Sequence, residues 1–81
     1  MLYVRLEGEA PPVVLQEFTH DFPAGALREV AMNLWGLDDA EPWELVTDNG
    51  HGVVMADDDR PAQTYGVLAE DVLVLRPSRK S

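Results

Sequence analysis

The chain has 81 residues, enough for one hydrophobic core and no second domain. Fifteen acidic residues against six basic ones give a net charge of −9, which disfavours binding of nucleic acid and anionic lipid and favours basic protein partners. The sequence has no cysteine and no apolar run near the roughly 20 residues of a spanning helix, so disulfides, thiolate metal sites and membrane insertion are not expected. These features predict a cytoplasmic domain.

The first part of the chain predicts a β-hairpin. Residues 2–7 alternate between apolar and polar side chains, which is the period of a half-buried strand. A turn segment with Gly and Pro follows, and a second β-prone run occupies 13–18. The residues expected to face the core are Leu2, Val4 and Leu6 in the first run and Val14 and Phe18 in the second.

An amphipathic helix is predicted between residues 24 and 35, because apolar residues recur there at positions i, i+3, i+4 and i+7. Asp21 is expected to cap the helix and Pro23 to open its first turn. Gly36 is expected to end the helix in the left-handed conformation. The apolar stripe consists of Leu27, Val30, Ala31 and Leu34.

Three more β-prone runs, at 43–47, 53–55 and 72–75, complete the chain. One mixed sheet of four to five strands with the helix across one face is the two-layer arrangement that can bury these patterns, so the fold class is α+β. We expect residues 1–77 to form the domain and residues 78–81 a short, flexible basic tail. The second face of the sheet is left to solvent or to partners.

The stretch from Trp43 to Pro77 carries a resemblance to a known family. It contains Trp-Glu-Leu-Val, a Gly-containing turn, an Asp-Asp-Arg-Pro segment and, from Gly66 to Leu75, the pattern Gly-Val-x-x-x-Asp-Val-Leu-x-Leu. This order is similar to that of the ubiquitin-like β-grasp proteins, and within them to the bacterial YukD/EsaB family and the N-terminal ubiquitin-like domain of EccD. The segment from Phe22 to Leu37 is similar as well, and the pattern specifies fold better than function.

The resemblance implies a soluble accessory or regulatory component of a type VII secretion system that acts by contact with other components of the secretion machinery. An alternative is a bacterial ubiquitin-like modifier, whose C-terminus is activated by an E1-like enzyme and passed to an E2-like enzyme. That role would use the tail residues Arg76, Pro77, Ser78 and Ser81 after processing, but the tail has no Gly-Gly and Pro77 stiffens it. A further alternative is a small regulatory subunit of a multicomponent enzyme.

The predicted contact surface lies on the sheet face that the helix leaves uncovered. Strand alternation places Val46, Val72 and Val74 outward there, near Tyr3, and ubiquitin-like proteins use an apolar patch on this face. The consecutive acids Asp57, Asp58 and Asp59 could steer a basic partner toward it. We expect a monomer or a weak oligomer.

No catalytic chemistry is predicted. The two histidines, His20 and His51, have no serine before Ser78 to form a nucleophile pair. The three acids at 57–59 are consecutive, whereas calcium loops place acids at alternating positions with a glycine and a closing glutamate. We therefore expect no enzyme activity, no cofactor and no metal.

Overall fold

The computed structural model describes residues 1–8, 11–37, 42–48 and 52–78. In them one helix packs on one face of a four-stranded mixed sheet, which confirms the predicted α+β architecture. The elements are β1 (Leu2–Leu6), β2 (Val13–Leu15), α1 (Ala24–Leu34), β3 (Trp43–Thr47), a single turn of 3₁₀ helix (Ala62–Tyr65) and β4 (Val72–Pro77).

The strands lie in the order β2-β1-β4-β3. The two central strands, β1 and β4, run parallel, and each is joined to its outer neighbour in antiparallel fashion. The predicted short strand at 53–55 is reduced to an isolated bridge between Val54 and Val46. Within the described residues, no helix combines the length and the apolar character that crossing a bilayer requires.

The core lies between α1 and the inner face of the sheet, and one predicted orientation is wrong there. The inward residue of β2 is Leu15, which pairs with the buried Leu2, whereas Val14 pairs with Tyr3 and faces away from the helix. Phe18 does pack against the core, with its ring centroid 5.2 Å from that of Phe22. Fully buried leucines and valines of the core are Leu2, Val4, Leu27, Leu45, Val67, Leu73 and Leu75.

The buried face of α1 is rotated from the predicted stripe. Leu27 and Ala31 are buried as expected, but Leu34 is 47% exposed and Met32 takes a place in the core instead. Val30 is half-buried and packs against the core edge. The predicted inward position of Leu34 is therefore wrong, because the helix turns the side that carries Met32 toward the sheet.

The start of α1 is capped by main-chain groups, which makes the predicted side-chain cap wrong. Pro23 is the N-cap residue, and the N–H groups of Ala24 and Gly25 donate to the carbonyls of Arg60 and Asp58 at 2.9 and 3.1 Å. Asp21 instead accepts a hydrogen bond from the Thr19 hydroxyl, which lowers the pKa of its carboxyl group.

The structure explains why glycine occupies two positions, one in the first turn of α1 and one just beyond its last turn. A Cβ on Gly25 would lie 2.7 Å from the Cβ of Asp58, so only glycine lets the acidic segment approach the first turn. Gly36 has φ of +64°, as predicted for the residue that ends the helix.

Candidate functional site

The outer face of the sheet is the face that α1 does not cover. Its side chains alternate along the strands with the buried leucines of the inner face. The strand register arranges them in cross-strand rows. One row joins Val14, Tyr3 and Val72; the next joins Arg5, Val74 and Val46; and the third joins Arg76 and Glu44.

Two of the valines predicted to be exposed are buried. Val46 is 4% exposed and Val74 is 8% exposed, although both face away from the helix. Arg5 on β1 pairs with Asp48 beyond β3, with Nε and Oδ2 3.3 Å apart. Because β4 lies between those strands and the N–H of Asp48 donates to the carbonyl of Val72 at 3.1 Å, the arginine side chain crosses β4 between Val74 and Val72.

A second ion pair borders the same valines on their other side. Arg76 Nε lies 2.6 Å from Glu44 Oε2, directly across the β3 and β4 strands. We call the region of Val46 and Val74, between the two ion pairs, the closed end of the outer face. The prediction of an exposed patch at these two valines is wrong, since both are buried between ion pairs of long charged side chains and Val46 is also bridged to Val54.

The row Val14, Tyr3 and Val72 forms the open end of the outer face. All three side chains are half-buried, and the Arg5–Asp48 ion pair borders the row at Val72. Met1, which immediately precedes β1, is 58% exposed. Tyr3 and Val72 were named from the sequence, whereas Val14 was assigned to the core. The outward orientation of Val14 follows only from its pairing with Tyr3, which the sequence pattern does not show.

Two residues of the acidic triplet at 57–59 form hydrogen bonds and ion pairs with other parts of the fold. Asp57 binds Arg60 Nε through Oδ2 at 3.1 Å and accepts the N–H of Asp59 through Oδ1 at 3.0 Å. Asp58 binds Arg28 Nη2 at 2.6 Å, and its carbonyl caps α1. Asp57 and Asp58 thus hold the segment against the helix, while a steering role for the triplet stays a prediction.

A shallow cavity of about 380 Å³ lies beside β3 and is lined by Trp43, Met55, Arg28 and Asp58, among others. The Nε of Arg28 is buried and has no hydrogen-bond partner in the described part of the chain.

Within residues 1–8, 11–37, 42–48 and 52–78, no group of three or more His, Asp or Glu side chains is placed to hold a metal ion. His51 lies outside the described residues, and His20 is half-buried with its carbonyl bound to the N–H of Gln63.

The tail residues named for the alternative conjugation role are in part held at the sheet. Arg76 and Pro77 belong to β4, and the N–H of Ser78 donates to the carbonyl of Pro42 at 2.9 Å. Ser81 lies outside the described residues.

Comparison with known proteins identifies the fold. No family model matches the sequence, and no curated relative does. The solution structure of the C-terminal ubiquitin-like domain of mouse tubulin-specific chaperone e superposes with a TM-score of 0.61 at 16% identity. The alignment covers 99% of this chain and 87% of that one. The chain therefore has the ubiquitin-like β-grasp fold.

Proposed function

We propose that this chain is a non-catalytic protein-interaction module that binds its partner through the open end of the outer face. The observation that supports the proposal is the row Val14, Tyr3 and Val72, which is apolar, half-exposed and away from the helix. A tyrosine flanked by valines offers the large apolar area with a polar tip that interface centres favour. A single row of this kind fits a small or transient interface.

The charge of the chain sets the chemistry of the partner. Each of the four arginines in the described residues pairs with a carboxylate, so the acids in excess give the molecule its net charge of −9. A partner with a basic rim around an apolar centre is attracted to such a surface, and its association rate falls as salt rises.

We further propose that the partner belongs to a type VII secretion machinery and that the chain acts in the cytoplasm as a YukD/EsaB-like accessory component. The support is the similarity of residues 43–77 to the corresponding stretch of the YukD/EsaB family. Asp71 of the resembling motif closes a turn by accepting the N–H of Leu68 at 2.8 Å, and its carbonyl accepts the N–H of Tyr3 at 3.0 Å. The motif thereby positions Val72 beside Tyr3, at the proposed contact surface.

The rival role as a conjugated modifier has less support. Activation of a C-terminus requires an extended, accessible tail, whereas Arg76, Pro77 and Ser78 are held by β4 and by the bond to Pro42.

Binding kinetics with purified proteins test the proposal. The immobilised partners are the cytoplasmic parts of the secretion ATPase and of the EccD-like protein from the same genome. We expect Val14→Asp to weaken binding roughly tenfold or more, because a charge replaces an apolar contact at the interface centre. Val53→Asp, at a valine that is 39% exposed beside β3, is the matched control and should bind like the parent.

Two results would overturn parts of the proposal. Equal binding by the Val14→Asp variant and the parent would exclude the open end as the contact surface. Absence of binding to either secretion protein at micromolar concentrations would exclude the secretion role.

A further inference from the structure

The cavity beside β3 lies where several parts of the fold meet. Its lining includes residues of α1, the first residues of β3, and the segment 54–58 that begins at the bridge to β3. Trp43, Val54 and Ala56 give it apolar walls, and none of these three side chains is buried. Its volume of about 380 Å³ falls in the range that small-molecule sites occupy in proteins.

The polar part of the lining includes an arginine with unused donors. Nη2 of Arg28 donates to Asp58 Oδ2 at 2.6 Å, whereas Nε is buried and has no acceptor in the described part of the chain. A guanidinium group carries five N–H donors and no acceptor. The Arg28 side chain is 29% exposed and lines the cavity, so it can donate a further hydrogen bond to a molecule bound there.

The charges around the cavity favour a neutral ligand. The Asp58 carboxylate neutralises Arg28, and Arg76 lies 2.6 Å from Glu44, a second carboxylate of the lining. A free anion would be repelled by a molecule with a net charge of −9. A cation would compete with Arg28 for Asp58. The cavity therefore offers apolar area and a hydrogen-bond donor, without a free charge of its own in the described residues.

We propose that this cavity binds a small, neutral aromatic amide, with its ring against Trp43 and its carbonyl oxygen accepting a hydrogen bond from Arg28. Aromatic rings pack favourably against an indole, and an amide oxygen is a neutral acceptor for a guanidinium donor. A slight turn of the guanidinium toward the ligand gives the buried Nε–H the acceptor that it lacks. The inference depends neither on the open end of the outer face nor on the secretion role.

Benzamide added to the full ¹⁵N-labelled chain tests the inference. The chain has two tryptophans, so the indole N–H signal of Trp35, at the end of α1, is an internal control for that of Trp43. We expect a saturable shift of the Trp43 signal with a dissociation constant on the order of 1–10 mM, as the size of the probe allows, and no shift of the Trp35 signal. Benzoate and benzylamine keep the ring but carry a charge, so each should bind roughly fivefold more weakly or less.

Substitutions test the assigned contacts. Arg28→Met keeps the apolar stem and removes the donors, so it should weaken benzamide binding roughly fivefold or more. Arg60→Met is the matched control and should bind like the parent, because Arg60 also pairs with an aspartate but does not line the cavity. Ala56→Phe places a ring in the cavity from an exposed position, so it should abolish binding and leave the thermal melt unchanged.

A capped Gly-Gln-Gly peptide distinguishes a small molecule from a partner protein as the source of the amide. It presents a glutamine side-chain amide without an aromatic ring, and it should bind more weakly than benzamide. Tighter binding of the peptide would overturn the assignment to a small aromatic molecule. The inference would also be wrong if benzamide gave no saturable Trp43 shift up to about 50 mM, or if benzoate or benzylamine bound equally well. Parent-like binding by a folded Arg28→Met or Ala56→Phe variant would overturn it as well.

Discussion

Val72 and Val74 are the same residue type on the same strand and face, yet they lie in different surroundings. Val74 is 8% exposed between the ion pairs of the closed end, whereas Val72 is half-buried beside Tyr3 at the open end. Strand alternation decides which face a side chain occupies. Exposure on that face also depends on neighbouring side chains, and here the ion pairs of Arg5 on β1 and Arg76 on β4 border Val74.

The difference matters for how a docking surface is mapped on this fold. A substitution at the closed end changes the stability of the domain, so a loss of binding there does not identify a contact. A substitution at the open end leaves the core intact and tests contact directly. The following predictions test this division between the two ends, from the largest expected effect to the smallest.

The largest contrast is between neighbouring residues of β4 that face opposite sides. Leu73→Ala should lower the free energy of unfolding by about 2–5 kcal/mol, because it opens a cavity at a fully buried site. Val72→Ala, at the open end, should cost less than about 1 kcal/mol, because solvent already reaches the valine. Urea denaturation of both variants measures the difference. Equal losses would show that the open end is part of the core.

The second contrast places a charge at each end of the outer face. Val46→Asp should lower the free energy of unfolding by about 2–4 kcal/mol, because the carboxylate replaces a side chain that is only 4% exposed. In the described part of the chain, Arg5 and Arg76 are already paired with carboxylates, so neither is free to neutralise the new charge. Val14→Asp should cost about 1 kcal/mol or less.

Thermal melts of these two aspartate variants and the parent provide the measurement. A Val46→Asp variant that melts with the parent would contradict the closed end and restore Val46 as an exposed contact candidate.

The fold could be predicted from the sequence because it depends on periodicity. Alternating apolar and polar residues in β1 specify the buried side of that strand, and the 3.6-residue period of α1 places Leu27 on its buried side. Leu2 and Leu27 are fully buried as these patterns predict, and so is Leu73, which the sequence assigned to the inner face. Periodicity does not predict the orientation of residues 13–15, because this run has no polar residue to show which face is exposed. Pairing with β1 supplied the phase instead and placed Leu15 inward.

The candidate site could be predicted only in part, because it depends on contacts between residues far apart in the sequence. Arg5 and Asp48 are separated by 43 positions, and only the strand order brings them together across β4. The rotation of α1 that exposes Leu34 is likewise set by packing. Apolar residues on both flanks of the helix allow either Met32 or Leu34 to face the sheet.

The smallest expected effect concerns how Arg5 stabilises the closed end. Either the charge of its guanidinium group or its apolar stem, the three methylene groups of the side chain, could be responsible. An exposed ion pair contributes about 0.2–1 kcal/mol and weakens with salt, whereas the stem buries Val74 at any ionic strength. Arg5→Met keeps a stem and should lower the free energy of unfolding by less than about 0.5 kcal/mol. Arg5→Ala removes both and should cost about 1 kcal/mol, with little dependence on salt.

Urea denaturation of both variants at low and high salt separates the two terms, with Arg60→Ala as the control at a more exposed ion pair. If Arg5→Met and Arg5→Ala lost the same stability, and both losses disappeared at high salt, the ion pair alone would account for the effect of Arg5. Val74 would then be protected by its strand neighbours and not by the arginine that crosses it. In that case the burial of Val74 would not depend on Arg5, and the arginine would contribute only its charge to the closed end.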